Sequence, residues 1–157
     1  MRFKKYLIAL SFLCLSLAGF ASVEFEPNDS LATAQSISLG ETITGSLSSG
    51  YDNEVDYFAV EVSGSGSLTV TMTQTTDGNR SFSYSVLNSS GEVLDTSSCY
   101  YCNGEEMSVG VGASGTYYVG VRSDYRYDAP VGTYTFTASY SDSTEGVEFE
   151  PNDSLAT

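Results

Sequence analysis

In six stretches of this chain a large apolar residue recurs at every second position. Leu68, Val70 and Met72 are separated by threonines, and Phe82, Tyr84 and Val86 by serines. Phe58, Val60 and Val62 repeat the pattern, as do Met107, Val109 and Val111, then Tyr117, Val119 and Val121. The last set is Tyr134, Phe136, Ala138 and Tyr140. A period of two is the signature of a strand with one face buried. Thr42 to Leu47 and Glu92 to Thr96 are weaker strands of the same kind. Turn residues separate the runs: Asp77-Gly78-Asn79, Ser89-Ser90-Gly91, Asn103-Gly104, Ser114-Gly115 and Pro130-Val131-Gly132. Short strands at this spacing, with no long amphipathic helix, predict an all-β, antiparallel sandwich with Ser- and Thr-rich outer faces.

The first residues do not share the pattern. Met1-Arg2-Phe3-Lys4-Lys5 is basic, Tyr6 to Leu17 is almost wholly apolar, and Ala18-Gly19-Phe20-Ala21 supplies small residues. This is the layout of a secretory signal peptide, with cleavage expected after Ala21. The apolar run is short for a membrane span and no basic stop-transfer cluster follows it, so no span is expected in the mature chain. Cys14 lies inside the apolar run, which disfavours a lipid anchor. The expected destination is the cell surface or medium, with the periplasm as an alternative. Residues 22–141 then form one domain. Residues 142–157 form a polar linker and the start of a repeat, because Val147 to Thr157 duplicates VEFEPNDSLAT of Val23 to Thr33. An alternative use of this second copy is docking onto a neighbouring molecule, in place of that molecule's own Val23 segment.

Removing the first 21 residues leaves Arg80, Arg122 and Arg126 against all 20 carboxylates, a formal charge of −17. Nucleic acid and anionic membranes are poor partners for such a surface, because their phosphates would be repelled, and divalent cations are natural ones. Histidine is absent. That removes Ser-His, Cys-His and His-zinc chemistry. The mature chain keeps two cysteines, in Cys99-Tyr100-Tyr101-Cys102. In an exported protein, between turn residues, this pair reads as a disulfide staple of a hairpin, ahead of a redox or metal site.

One acidic stretch has spacing suited to chemistry. Glu24-Phe25-Glu26-Pro27-Asn28-Asp29 carries four oxygen-bearing side chains in six positions. In an extended chain Glu24, Glu26 and Asn28 share one face, and Phe25 is expected to point the other way, into the core. Asn28-Asp29-Ser30 favours a turn that brings Asp29 to the same place. Converging carboxylates repel unless a hard cation sits among them. Calcium, with six to eight oxygen ligands at flexible geometry, fits best, and a second segment must contribute. Asp52 and Asp56, before the strand of Phe58, are the expected contributors. A solvated acidic linker is the competing reading, and the EF-hand pattern is absent.

These residues resemble a known family. Glu24-x-Glu26-Pro27-Asn28-Asp29-Ser30 with Ala32-x-Ala34-Gln35 is similar to the opening of bacterial pre-peptidase C-terminal domains. Gly45-x-Leu47, Asp52 through Asp56-Tyr57-Phe58, Gly115-Thr116-Tyr117-Tyr118-Val119-x-Val121 and Gly132-Thr133-Tyr134-x-Phe136 continue the likeness over residues 23–140. The resemblance implies a jelly-roll-like β-sandwich that serves as an accessory module of exported proteins. It implies calcium held by Glu24, Glu26, Asn28 and Asp29, with Asp52 and Asp56 from the following loop. It also points to exposed tyrosines, here Tyr118, Tyr125 and Tyr127, as a surface for an extracellular polymer such as a matrix protein or glycan. The chain departs from the family's usual setting, since no peptidase precedes the domain. The expected function is a secreted, calcium-binding, non-catalytic module beside a neighbouring repeat. The alternatives are an accessory region of a secreted peptidase or other hydrolase and a self-assembling surface repeat.

Overall fold

A computed structural model of the chain describes residues 20–47, 55–74, 81–123 and 132–143. Most of the leader, Asp52, Tyr125, Tyr127 and the second copy of the undecamer lie outside these residues. No helix among them is long and apolar enough to cross a membrane.

Among the described residues ten strands follow one another: β1 (Ala21–Val23), β2 (Gln35–Ser36), β3 (Thr42–Leu47), β4 (Val55–Val62), β5 (Gly66–Gln74), β6 (Ser81–Leu87), β7 (Val93–Tyr100), β8 (Asn103–Val111), β9 (Gly115–Ser123) and β10 (Gly132–Asp142). They form two five-stranded sheets, ordered β1-β3-β10-β5-β8 and β2-β4-β9-β6-β7. From β3 onward the chain alternates between the sheets at every connection except the β6–β7 hairpin. That alternation makes a jelly-roll-like sandwich.

The period-two residues are the core. Phe58, Val60, Leu68, Val70, Met72, Phe82, Tyr84, Val86, Val119, Val121, Tyr134 and Ala138 are wholly buried. Rings meet edge-on across the sandwich. Phe58 lies 4.9 Å from Phe136, and Phe82 lies 5.7 Å from Tyr134, between ring centroids. Such contacts add to the burial of the rings themselves.

Three expectations change. The sheets are mixed, not purely antiparallel, because β1 pairs β3 in parallel and β2 pairs β4 in parallel. Both exceptions come from residues 20–40, which run along edges the antiparallel strands leave open. Phe25 does not enter the core and is 77 % exposed. The inward side of the crossing chain carries Glu24 and Asn28, so Phe25, on the opposite side, points to solvent. The cysteines do form a disulfide, Cys99–Cys102, but the bond does not close a hairpin. β7 is the edge of one sheet and β8 the edge of the other. The staple therefore joins the two sheets at a corner, where Tyr101 and Gly104 take positive φ. Both sulfurs belong to buried residues, while Tyr100 and Tyr101 stand exposed at the tip with their rings 4.9 Å apart. Beside the corner the buried Tyr84 hydroxyl donates to the Glu105 carbonyl across the sheets.

Closing so small a loop restricts the unfolded chain only modestly, by about 2 kcal/mol on the chain-entropy argument. The Cys99→Ala/Cys102→Ala double variant is thus expected to fold and to melt several degrees lower. Unchanged melting of that variant, or of the wild type under reduction, would show that the corner holds without its covalent link.

Candidate functional site

Residues 23–37 act as a strap across the open side between β3 and β4. Its first half is fixed to β3. The Glu24 amide donates to the Thr44 carbonyl at 3.0 Å. Its second half is fixed to β4, where the Tyr57 amide donates to the Asn28 carbonyl at 3.0 Å and the Ile37 amide to the Ala59 carbonyl at 2.9 Å. Gln35 ties the two halves together, accepting from the Phe25 amide at 2.7 Å and donating to the Val23 carbonyl at 3.4 Å. The Glu26–Pro27 peptide bond within the strap is cis. Beyond Asn28 the strap loops outward through a Ser30–Thr33 turn and brings Leu31 against Gly91 of the β6–β7 hairpin.

Carboxylates gather under the crossing. One oxygen each from Glu24, Glu26 and Asp56 lie within 4.8 Å of one another. Glu24 and Glu26 come from the strap. Asp56 comes from β4, two residues before Phe58 and on the same inward parity, and it is wholly buried. Glu24 Oε1 accepts from the Ser46 amide at 2.6 Å and the Ser46 hydroxyl at 3.0 Å. Glu26 Oε2 accepts from the Asn28 amide at 3.1 Å. The Tyr134 hydroxyl of β10 reaches Asp56 Oδ2 at 2.5 Å and Glu24 Oε2 at 3.2 Å. A phenol has one proton to give, so it cannot satisfy both oxygens at once. Burial, then the nearby Asp56 and Glu24 charges, raise the Tyr134 pKa far above the usual phenol range. The hydroxyl therefore stays a donor.

Gly45 makes room for this arrangement. A β-carbon there would stand within 2.6 Å of the Tyr134 hydroxyl and of Glu24 Oε2. The side chain of Asn28 is the conspicuous exception to pairing. Asn28 is 0 % exposed, and neither Oδ1 nor Nδ2 has a hydrogen-bond partner. An orphaned buried amide costs about 1–3 kcal/mol.

Of the residues the sequence singled out, the structure brings together Glu24, Glu26 and Asp56, with Asn28 fixed beside Glu26. Asp29 is exposed and stands outside that group. Tyr118 is half-buried on the outer face of β9. Further along that face, Val55, Tyr57, Leu87, Val93, Gly120 and Arg122 help line a groove of about 220 Å³, to which Tyr118 does not contribute. Sequence reasoning missed Tyr134, Gly45 and Ser46 as parts of the acidic site. The one available signal was Tyr134 itself, since a buried tyrosine needs a partner for its hydroxyl.

The oxygen-only donor set suits a hard cation, and no His or thiolate is present to favour a softer metal. The buried Asn28 side-chain oxygen, with no hydrogen-bond partner, is placed to serve as a further oxygen ligand. The class the geometry defines is therefore a small all-β module, a jelly-roll-like sandwich with an acidic strap.

Comparison with known proteins agrees on the fold. No protein-family model matches the chain, and no curated protein sequence matches it. Among solved structures, the surface-associated copper-binding protein CorA of Methylomicrobium album BG8 covers 69 % of this chain and 98 % of its own, with a TM-score of 0.51 and 7 % identity. The pre-peptidase C-terminal domain of a Bacillus anthracis collagenase is also similar, with a TM-score of 0.49 and 21 % identity over 68 % of this chain and 94 % of that one. So is PliG, a periplasmic inhibitor of g-type lysozyme from Aeromonas hydrophila, with a TM-score of 0.43 and 13 % identity over 77 % and 99 %.

The hydroxyl of Tyr134 is expected to matter most when no cation is present. Tyr134→Phe removes the single proton for which Asp56 and Glu24 compete and should cost about 1.5–3 kcal/mol in urea unfolding with chelator. A variant as stable as the wild type would mean that Asp56 is held by other groups.

Proposed function

We propose that the chain is an exported, non-catalytic, calcium-binding β-sandwich module. The observation that carries this reading is three carboxylates within 4.8 Å beside a buried, unpartnered amide. Two of the carboxylates and the amide belong to the strap, and the third belongs to the sandwich. Glu24, Glu26, Asp56 and the Asn28 side-chain oxygen would hold the ion. Asp29 and Asp52 are the further ligands that the sequence resemblance suggests. When bound, calcium supplies positive charge and flexible coordination among the carboxylates. The protein's own groups do the positioning. Ser46 fixes Glu24, Tyr134 fixes Asp56, and Gln35 holds the two limbs of the strap at their spacing.

Export through a leader removed after Ala21 fits the basic and apolar opening and the disulfide. The repeated undecamer fits a module used beside another like it. An extracellular polymer is the proposed partner class, with the groove of Tyr57 and Arg122 on the outer face of β4 and β9 as the surface offered to it.

Melting of the mature chain in calcium and in chelator tests the cation directly. An ion that binds only the folded state stabilises it by about 2.7 kcal/mol at a hundredfold excess over Kd, so Tm should rise by several degrees. Glu26→Gln and Asn28→Ala should abolish that rise. Asp29→Asn separates the ligand sets, because losing the rise would bring Asp29 into the site and keeping it would leave Asp29 outside. Identical melting of the wild type in both conditions would reduce the cluster to a solvated acidic strap.

A further inference from the structure

One glycine shapes the groove on the outer face of β4, β9, β6 and β7. Gly120 lies mid-strand in β9, an interior strand of its sheet. A glycine there packs nothing and weakens the strand. Its φ is not positive, so the backbone does not demand it. What demands it is Tyr57, because a β-carbon on Gly120 would stand 3.2 Å from Cε1 of that ring. Tyr57, Gly120, Ser85 and Thr96 are successive partners across four strands, so they form one row perpendicular to the chain. Three strand spacings make the row about 14 Å long. Val55 and Arg122 flank it on one side, Leu87 and Val93 on the other. The result is a straight trough with small residues along its floor and an aromatic ring at one end. That end is held firmly. The Tyr57 amide donates to the Asn28 carbonyl of the strap at 3.0 Å, and the other edge of β4 pairs with β9.

The lining sets the chemistry of an occupant. Among the described residues no carboxylate lines the trough, although the chain carries 20 of them, and Arg122 lines it. The Ser85 and Thr96 hydroxyls lie 2.9 Å apart and share a hydrogen bond. Two hydroxyls hold two protons, so one remains for a guest. The Arg122 guanidinium has five donors, enough to serve a guest beside any partner within the protein. β4, β9 and β6 are interior strands with paired backbones. An extended peptide therefore cannot add to them as a strand, and its amides would meet side chains alone. A sugar chain has no such requirement. Its hydroxyls reach sideways to donors and acceptors, while the C–H faces of its rings pack on Tyr57 and the aliphatic walls. A polyanion, by contrast, is repelled by so acidic a chain.

We propose that the trough is a binding site for an uncharged β-1,4-linked glycan, laid across the strands with one ring on Tyr57. Such a glycan is a straight ribbon with flat apolar ring faces, which suits a straight trough of about 220 Å³. Tyr57 is the platform, Arg122 and the Ser85–Thr96 pair hold the sugar hydroxyls, and Gly120 gives the ribbon its depth. This deepens the reading of the groove as the surface offered to an extracellular polymer, and it rests on that reading.

Depletion of the mature chain from solution by cellulose and chitin powders tests the assignment, with calorimetric titration by the soluble hexasaccharide of each. The wild type should bind at least one of the two and should not bind polygalacturonate. Tyr57→Ala should weaken binding roughly tenfold or more, as loss of an aromatic anchor does. Gly120→Val raises the floor and should abolish binding. Circular dichroism checks that both variants are folded. If either is not, Tyr57→Leu keeps the bulk without the flat ring and gives the same readout. A wild type that binds neither glycan, folded variants that bind as well as the wild type, or a preference for polygalacturonate each overturns the proposal. Retention on gelatin beads alone, lost with Tyr57→Ala, overturns the glycan and keeps the polymer surface. Each arm is run in calcium and in chelator. A calcium shift in Tm with no glycan bound sinks the groove assignment alone, and glycan bound with no calcium shift sinks the cation reading alone.

Discussion

A carboxylate on the inner face of a β-sandwich is expensive to bury. Asp56 occupies such a position, and much of the surrounding structure is an answer to it. Tyr134 must present its hydroxyl there, which requires Gly45 opposite to lack a side chain. Glu24 comes to the same hydroxyl and is held by Ser46. The strap has to cross at this point, with Asn28 on the edge of β4, for the acidic group to assemble. Replacing Asp56 by an apolar residue would remove the reason for each of these choices. As a packing solution alone, the cluster is costlier than an apolar side chain at the same position.

The two open sides of the sandwich are closed by different means. Between β7 and β8 the closure is covalent, a disulfide at a corner where the chain passes from one sheet to the other. Between β3 and β4 it is a segment laid across the gap, pairing in parallel with an edge on each side. The first closure is permanent under oxidising conditions. The second rests on hydrogen bonds and on how the carboxylate repulsion is neutralised, so it is the closure that solution conditions can strengthen or loosen. Local stability commonly varies across a structure in this way.

Inner faces were legible in the sequence because a single period governs them. Leu68, Val70 and Met72 are buried as their alternation predicts, and Asp56 shares the parity of Phe58. The edges were less legible. Ala21–Val23 and Gln35–Ser36 are too short to display a period, and nothing local distinguishes a parallel edge from a loop. Phe25 misled because the inward side of the crossing segment is the one that carries Glu24 and Asn28, which leaves the apolar residue facing solvent. The turn residues around Cys99 and Cys102 serve a hairpin and an inter-sheet corner equally well. Tyr134 was placed correctly as an inward residue, but no pattern says what its hydroxyl will meet.

The direction of the first and last strands has a consequence for how such a module is displayed. β1 runs with β3 and β10 runs against it, so the chain enters at Ala21 and leaves past Asp142 from the same end of the sandwich. Leu47, Gly132 and the acidic crossing lie toward the other end. Both connections of the described domain therefore leave the acidic crossing of Glu24, Glu26 and Asp56 clear of the end at which the chain enters and departs.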